Sequence, residues 1–242
     1  LTGGGAFENR GTFRKSGGAG TNSISCTFHN YDGTIQVQTG TVLLAGGGVR
    51  SNGTYEVAEG AVLDLSANGS VIYKGVHAAS GDGLVQWTSG RLGNGASDAT
   101  FAFTNAGFHW LGGELGEAWY GFPTLRNTGL FWMDGTATNR LDNGHLYNYG
   151  TIRHADGKRV HLNHYGGYGI IDNATNALYD IRGDGLCLSG SSGDYFGEDI
   201  FANYGVFAKS AGTGTCWVTC EFFNWDGTVS VETGTLVFAS DG

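Results

Sequence analysis

Short apolar segments alternate with turns centred on asparagine or glycine along nearly the whole chain. The recurring unit is an apolar residue, any residue, asparagine, a nearby glycine and a second apolar segment, as in "FENRGTF" (7–13) and "LYNYGTI" (146–152). A second unit, with apolar residues around a glycine, often follows, as in "VQTGTV" (37–42). No window shows the three-to-four-residue period of an amphipathic helix. The pattern therefore predicts an all-β chain built from short strands.

The asparagines of this unit recur with a period near 21 residues, at Asn9, Asn30, Asn52, Asn105, Asn127, Asn148, Asn173, Asn203 and Asn224. Successive gaps are 21, 22, 53, 22, 21, 25, 30 and 21 residues, and the gap of 53 predicts one or two unmarked units near 75–87. This period is too short for a propeller blade of ~40–45 residues, and the leucine-rich-repeat skeleton is missing. We therefore predict a parallel β-helix of about ten coils, each of ~21–25 residues and stacked at ~4.8 Å.

A longer repeat lies on top of the short one. Residues 7–48 align without gaps to residues 201–242 with 21 identities in 42 positions, among them Phe7 with Phe201 and Asn9 with Asn203. We interpret the two segments as the same pair of coils used twice, with about nine coils between the copies.

Asparagine and glycine suit the corners of such coils. Asparagine tolerates left-handed backbone angles, and its amide can hydrogen-bond the asparagine of the next coil. The glycine that follows can adopt a positive φ without steric cost. The nine asparagines are therefore predicted to form a ladder at one corner. Asn52, Asn68 and Asn173 also stand in glycosylation motifs, but glycosylation does not explain the period.

Two phrases resemble a known family. "F-x-N-x-G-T-F-x-K-S-G-G-x-G-T" and "F-x-N-x-D-G-T-x-x-V-x-x-G-T-L" resemble the right-handed β-helix repeats of very large bacterial exported and cell-surface proteins, often described as adhesin-like. The resemblance is strongest over 7–48, 85–152 and 201–242. It implies a right-handed solenoid domain over 1–242, outside the cytoplasm or on the cell surface, that is a fragment of a longer protein with further coils. A rigid spacer or adhesive stalk without catalysis is the function it favours.

Composition narrows the possible partners. The chain has 45 glycines but also 31 aromatic residues, which favours a packed, turn-rich protein over a disordered one. The net charge of −9 argues against nucleic acids and anionic membranes, which require a basic surface. No apolar run is long enough for membrane insertion.

Four cysteines leave the disulfide state open. Cys216 and Cys220 lie four residues apart, and on a strand roughly 13 Å would separate them, which is too far for a bridge. Cys187 could pair with Cys216 or Cys220 from a neighbouring coil, and buried thiols, Cys26 included, are the alternative.

Two weakly repetitive segments, 112–123 and 153–169, are the candidate sites, because insertions in a solenoid map to loops on one side. Exposed aromatic rings in and beside these segments could form a platform for sugar rings, with flanking histidines donating hydrogen bonds. The alternative function is therefore a carbohydrate-binding module that recognises a polysaccharide or cell-surface glycan. Its candidate residues are Trp119, Tyr120, His145, Tyr147, His154, His161, His164 and Tyr165.

Metal binding and catalysis have weaker support. The histidines of "HLNH" (161–164) would point to opposite sides of a strand, and their spacing matches no zinc pattern. The acidic residues are scattered, whereas a polysaccharide lyase or hydrolase needs clustered or paired carboxylates. We predict no metal, no cofactor and no catalytic residue, and keep a polysaccharide-cleaving enzyme as the third hypothesis.

The ends of a solenoid segment raise a separate expectation. A solenoid cut within its array exposes unpaired backbone groups and apolar side chains at each end. We therefore expect end-to-end self-association, or a terminal segment that covers the ends.

Overall fold

The computed structural model describes residues 4–68, 70–93, 98–116, 123–163, 168–190 and 199–239. These residues form thirty β-strands, numbered β1 to β30 in chain order, and contain no helix. The strands pair in parallel and wind into a solenoid of about nine turns. The predicted all-β parallel solenoid is confirmed.

Three columns of strands, called faces 1, 2 and 3, surround a common interior. Face 1 contains β1 (Ala6–Asn9), β4 (Thr27–Tyr31), β7 (Gly48–Ser51), β10 (Ser70–Ser80), β12 (Arg91–Leu92), β15 (Glu114–Gly116), β18 (Asn139–Asp142), β21 (Val160–Asn163), β24 (Gly185–Ser189), β27 (Thr215–Val218) and β30 (Thr235–Phe238). Face 2 contains β2 (Thr12–Lys15), β5 (Thr34–Val37), β8 (Thr54–Val57), β13 (Asp98–Phe103), β16 (Thr124–Asn127), β19 (His145–Asn148), β22 (Gly169–Asn173), β25 (Asp199–Asn203) and β28 (Glu221–Asn224). Face 3 contains β3 (Thr21–Ser23), β6 (Thr41–Leu43), β9 (Val62–Asp64), β11 (Leu84–Trp87), β14 (Phe108–Trp110), β17 (Leu130–Met133), β20 (Thr151–Ala155), β23 (Leu178–Arg182), β26 (Val206–Lys209) and β29 (Thr228–Val231).

Alternate side chains of each strand fill the interior, because successive residues of a strand point to opposite sides. Leu125 on β16 and Phe131 on β17 are buried, and their strand neighbours are partly exposed. Pairing in register places like residues above one another. Trp87 and Trp110, for example, stack with ring centroids 5.3 Å apart. The apolar core therefore runs along the axis of the rod.

The asparagine corner changes its position around the rod part-way along the chain. Asn9 is the last residue of β1 and Asn30 the last but one of β4, both on face 1 at the corner that leads into face 2. From Asn127 onwards the corresponding asparagines end strands of face 2, at the corner that leads into face 3. Between them, β10 pairs with both β7 and β8 and passes from face 1 into face 2 without a break. The gap of 53 residues therefore contains one unmarked turn and a shift by one face.

The duplicated segments consequently occupy different faces. β1, the first strand of copy one, lies in face 1, and its counterpart β25 lies in face 2. The interior packing is nevertheless repeated: Phe7 stacks on Phe28 at 5.5 Å, and Phe201 stacks on Phe222 at 5.5 Å. The copies are thus separated by a number of turns that is not whole. The sequence of a strand–turn–strand unit specifies the local packing but not the face.

The cysteines adopt one of the two pairings left open by the sequence. Cys187 on β24 and Cys216 on β27 form a disulfide between neighbouring strands of face 1, with their Cα atoms 5.9 Å apart. Cys26 and Cys220 are free thiols and are buried. Burial raises the pKa of the Cys220 thiol to about 12, so this thiol stays protonated.

Candidate functional site

The predicted binding residues that the structure describes do not form one site. Trp119, Tyr120, His164 and Tyr165 lie outside the described residues. The other four are distributed over all three faces of the solenoid: His145 and Tyr147 on face 2, His154 on face 3 and His161 on face 1.

His154 belongs to the interior and is not available to a ligand. Its ring nitrogens lie 2.9 Å from the Tyr179 hydroxyl and 2.8 Å from the carbonyl oxygen of Lys158. Burial lowers the pKa of His154 to about 4, so the ring is neutral at physiological pH. The prediction of His154 as a binding residue was wrong, because the alternation along β20 turns this side chain inward.

His161 takes part in a polar network on face 1. Its Nδ1 lies 2.9 Å from the Ser189 hydroxyl oxygen, which also accepts a hydrogen bond from Arg159 Nε at 2.9 Å. Partial burial, with Arg159 and Arg140 nearby, lowers the pKa of His161. On the same face Arg91 and Glu114 form an ion pair at 2.6 Å. These contacts connect neighbouring strands and give the face an internally paired polar surface.

His145 and Tyr147 form the centre of a surface cluster on face 2. Their rings stack with centroids 3.8 Å apart, and the Arg126 guanidinium lies 5.6 Å from the Tyr147 ring. His145 Nε2 lies 2.5 Å from an Asp172 carboxylate oxygen. Register places Arg126, Tyr147 and Asp172 side by side, since β16, β19 and β22 are successive strands. We call Arg126, His145, Tyr147 and Asp172 the face-2 cluster.

The face-2 cluster combines an aromatic ring with hydrogen-bonding groups. Partial burial and the Asp172 carboxylate raise the pKa of Tyr147, which keeps its hydroxyl protonated and able to donate. His145 and Asp172 are about one-fifth exposed, so solvent reaches both. A polar ligand with an apolar face could contact ring and polar groups together.

An exposed aromatic row lies beside this cluster, at the corner between faces 2 and 3. Each ladder asparagine is followed by an outward residue, and the register of the asparagines aligns Tyr149, Ala174, Tyr204 and Trp225 on successive turns. Tyr149 is 51% exposed, Tyr204 43% and Trp225 53%. We call Tyr149, Tyr204 and Trp225 the aromatic row. Tyr204 and Trp225 were not among the predicted site residues, although their position after asparagine is a recurring signal in the sequence.

Seven of the nine predicted corner asparagines form two runs of hydrogen-bonded amides. In the first run Asn9 Nδ2 donates to Asn30 Oδ1 at 2.7 Å. In the second run each amide donates to the next at 2.7–2.8 Å, in the order Asn127, Asn148, Asn173, Asn203 and Asn224. The first four of these five side chains are buried. Asn173 therefore has no accessible amide for a glycan.

Asn52 and Asn105 do not join the ladder, which corrects the prediction for these two residues. Register pairs Asn30 with Arg50, so Asn52 lies two residues beyond the ladder position. Asn105 follows the end of β13 and lies four residues beyond Phe101, the partner of Asn127. Both adopt a positive φ, 50° and 57°, and are exposed. Asparagine serves these turns through its tolerance of left-handed angles.

The glycine of the unit is required by close approach rather than by a positive φ. At Gly33 an added Cβ would lie 2.4 Å from Asn9 Nδ2 and 2.6 Å from Asn30 Oδ1. Gly227 has the same relation to Asn203 Nδ2, at 2.4 Å. The residue before each of these glycines, Asp32 or Asp226, adopts the positive φ instead. The glycine thus makes room for the amide ladder.

The described residues include no group of three or more histidine, cysteine or acidic side chains that could hold a metal ion. They also include no helix with the length and apolar character needed to cross a bilayer.

Comparison with known proteins gave no match. No family model, no curated protein and no solved structure is significantly similar to the chain. The geometry of the solenoid and of its surface is therefore the basis from which its function is inferred.

Proposed function

We propose that the chain is a rigid solenoid segment of a large exported bacterial protein and acts as a spacer or adhesive stalk without catalysis. The observation that carries the proposal is the regular pairing of each strand with its counterpart one turn later, on all three faces. An amide ladder of five asparagines, four of them buried, reinforces one corner. Such a molecule resists bending because every turn is fastened to both neighbours.

Length is the property that a spacer must supply. Face 3 contains ten strands, and the nine steps between them give an axial length of roughly 43 Å at ~4.8 Å per step. Each turn contacts chiefly the turns before and after it, so length can change without altering packing elsewhere.

Removal of one complete turn tests this role. Asn127 and Asn148 are register partners, so deletion of residues 128–148 joins equivalent positions. We expect the shortened chain to fold and its axial length in small-angle scattering to fall by ~4.8 Å, one strand step. Deletion of residues 128–138, about half a turn, is the control and should prevent folding. A one-turn deletion that unfolds the chain or leaves its length unchanged would contradict the proposal.

A second candidate function is carbohydrate binding, favoured by the face-2 cluster. The stacked rings of Tyr147 and His145 offer a partly exposed aromatic surface, while Arg126 and Asp172 offer a donor and an acceptor beside them. A glycan array with the wild type and Tyr147→Ala tests this candidate. We expect binding to a subset of glycans that Tyr147→Ala weakens, and an array without hits would remove the candidate.

A further inference from the structure

We propose that the aromatic row binds a linear, uncharged polysaccharide whose chain lies parallel to the axis of the rod. This inference extends the carbohydrate-binding candidate and depends on it. It adds the orientation of the ligand, its charge class and three residues outside the face-2 cluster. The rod function stands independently of it.

The register of the ladder sets the direction of the row. Because Asn148, Asn173, Asn203 and Asn224 pair in sequence, the residues that follow them lie one strand step apart along the axis. The backbone repeats this order: Tyr204 N donates to Asn173 O at 2.8 Å, and Trp225 N donates to Asn203 O at 2.8 Å. From Tyr149 to Trp225 the row spans three steps, roughly 14 Å. An occupant that contacts all three rings must therefore be elongated along the axis.

Neighbouring aromatic side chains support the row at both ends. Tyr147 and Tyr149 stack with ring centroids 6.2 Å apart, and Phe223 and Trp225 stack at 5.8 Å. Between these pairs the row continues through Ala174 and Tyr204, and the small side chain of Ala202 lies beside Tyr204. The row of rings is therefore interrupted at one position, Ala174. A chain that lies lengthwise along the row can contact the three rings in turn.

The charges near the row favour an uncharged ligand. Arg126 forms an ion pair with Asp98, and His145 contacts Asp172, so the charged groups next to Tyr147 are paired. The whole chain carries a net charge of −9, which disfavours an acidic polysaccharide. Tyrosine and tryptophan rings offer apolar faces together with a polar O–H or N–H group. A sugar ring, apolar on its face and polar at its rim, matches this combination.

Titration calorimetry with neutral oligosaccharides tests the inference. The probes are cello-, manno- and xylo-oligosaccharides of two, four and six units, with oligogalacturonate as the acidic comparison. We expect at least one neutral series to bind, with an affinity that rises from two to six units. Tyr204→Ala and Trp225→Ala should each weaken binding of the six-unit ligand roughly three- to tenfold, the effect of losing one aromatic contact.

Two further variants sharpen the test. Ala174→Tyr places a ring in the gap between Tyr149 and Tyr204 and should strengthen binding of the six-unit ligand. Tyr31→Ala is the matched control, because Tyr31 follows Asn30 as Tyr149 follows Asn148 but lies at the corner between faces 1 and 2. It should leave the affinity unchanged. Thermal unfolding of every variant shows whether the fold is retained.

Each of the remaining outcomes would contradict a specific part of the proposal. If no oligosaccharide binds, both the carbohydrate-binding candidate and the axial site are wrong. A second outcome is that Tyr147→Ala abolishes binding, while ligand length, Tyr204→Ala and Trp225→Ala have no effect. In that case the face-2 cluster binds the sugar, and the proposed binding along the aromatic row is wrong. Binding of oligogalacturonate alone contradicts the uncharged ligand. Capture of a protein instead of any glycan overturns the proposed ligand class.

Discussion

Cationic side chains inside the rod satisfy backbone carbonyl groups at its corners. Lys209 is fully buried, and its ammonium group donates to Ala211 O at 2.7 Å, Gly212 O at 3.0 Å and Gly183 O at 3.1 Å. Arg50 is also buried and donates to Leu44 O at 3.1 Å. Turns leave carbonyl oxygens that no strand partner reaches, and buried polar groups require partners. Polar residues in this interior are thus part of the corner structure.

Acidification from pH 6.5 to pH 4.5 is expected to destabilise the fold through two buried histidines. Burial lowers the pKa of His77 and of His154 to about 4, against 6.5 in an exposed histidine. Below pH 6.5 the unfolded chain therefore binds protons that the folded chain does not, and the free energy of unfolding falls as the pH falls. Each histidine accounts for about 3 kcal/mol once the pH has passed from 6.5 to 4.

Urea unfolding at pH 7, 5.5 and 4.5 measures this effect. The charged neighbours, Arg50 near His77 and Lys158 near His154, are both cationic and oppose protonation. His154→Gln removes one of the two groups that bind a proton only in the unfolded chain. The number of protons taken up on unfolding over this range should therefore fall by about one, and the unfolding free energy should depend less steeply on pH. Equal dependence in the variant and the wild type would contradict the prediction.

The sequence predicted which residue types form the corners more reliably than which side chain points inward. Asn127 and Asn52 share a motif, yet a displacement of two residues places one amide in the ladder and the other at the surface. His154 was assigned to the surface although the unit "LYNYGTI" (146–152) precedes it: Ile152 points inward, and so does His154 two residues later. The period of a repeat shows how often a unit recurs along the chain. Which alternate side chains of a strand point inward depends instead on the turn that precedes the strand.

At the scale of elements, the amide ladder connects strands that are far apart in sequence. Asn148 Nδ2 donates to Asn173 Oδ1 at 2.8 Å and to Leu178 O at 2.9 Å, and its Oδ1 accepts from Asn127 at 2.8 Å. One side chain therefore joins β16, β19, β22 and β23. Stacked amides of this kind stabilise parallel, in-register strands.

Substitution of a ladder asparagine by aspartate should destabilise the rod far more than the same change outside the ladder. Asn148→Asp removes two donors and places a carboxylate in a buried site, so we expect a loss of about 3 kcal/mol or more. Asn105→Asp is the matched control, because aspartate already occupies equivalent left-handed turns at Asp32 and Asp226. Urea unfolding of both variants measures the difference. Equal stabilities would show that the ladder contributes little.

The arrangement of elements was only partly accessible from the sequence. Strand positions, turns and parallel stacking follow from the spacing of asparagine and glycine. The shift by one face does not, because β10 replaces a corner by a continuous strand that carries no asparagine signal. The same unit packs on faces 1 and 2 alike, so its sequence cannot state which face it occupies.

At the scale of the whole molecule, the turn formed by β28, β29 and β30 exposes side chains that are buried in the turns before it. Val229 pairs with buried Phe207, and Phe238 pairs with buried Val218, yet Val229 and Phe238 are exposed. Val231 is 47% exposed on the same side. Apolar side chains beside unpaired strand edges favour the addition of another layer of strands.

We expect the 242-residue chain to self-associate through this surface. Sedimentation velocity over a concentration series measures the association. The double variant Val231→Lys and Phe238→Lys should shift the chain towards the monomer, because two charges would have to be buried on association. Val76→Lys, a change at an exposed valine of β10, is the control. A wild type that remains monomeric throughout would contradict the prediction.

The two positions of the duplicated segment bear on how such a rod can lengthen. Equal packing of the unit arises on more than one side of the rod. A strand such as β10, which continues across a corner, shifts every later unit by about a third of a revolution while the core stays filled. The corner at which Tyr204 and Trp225 project therefore depends on the number of strand positions that precede them. An extended array could carry the aromatic row at more than one corner of the rod.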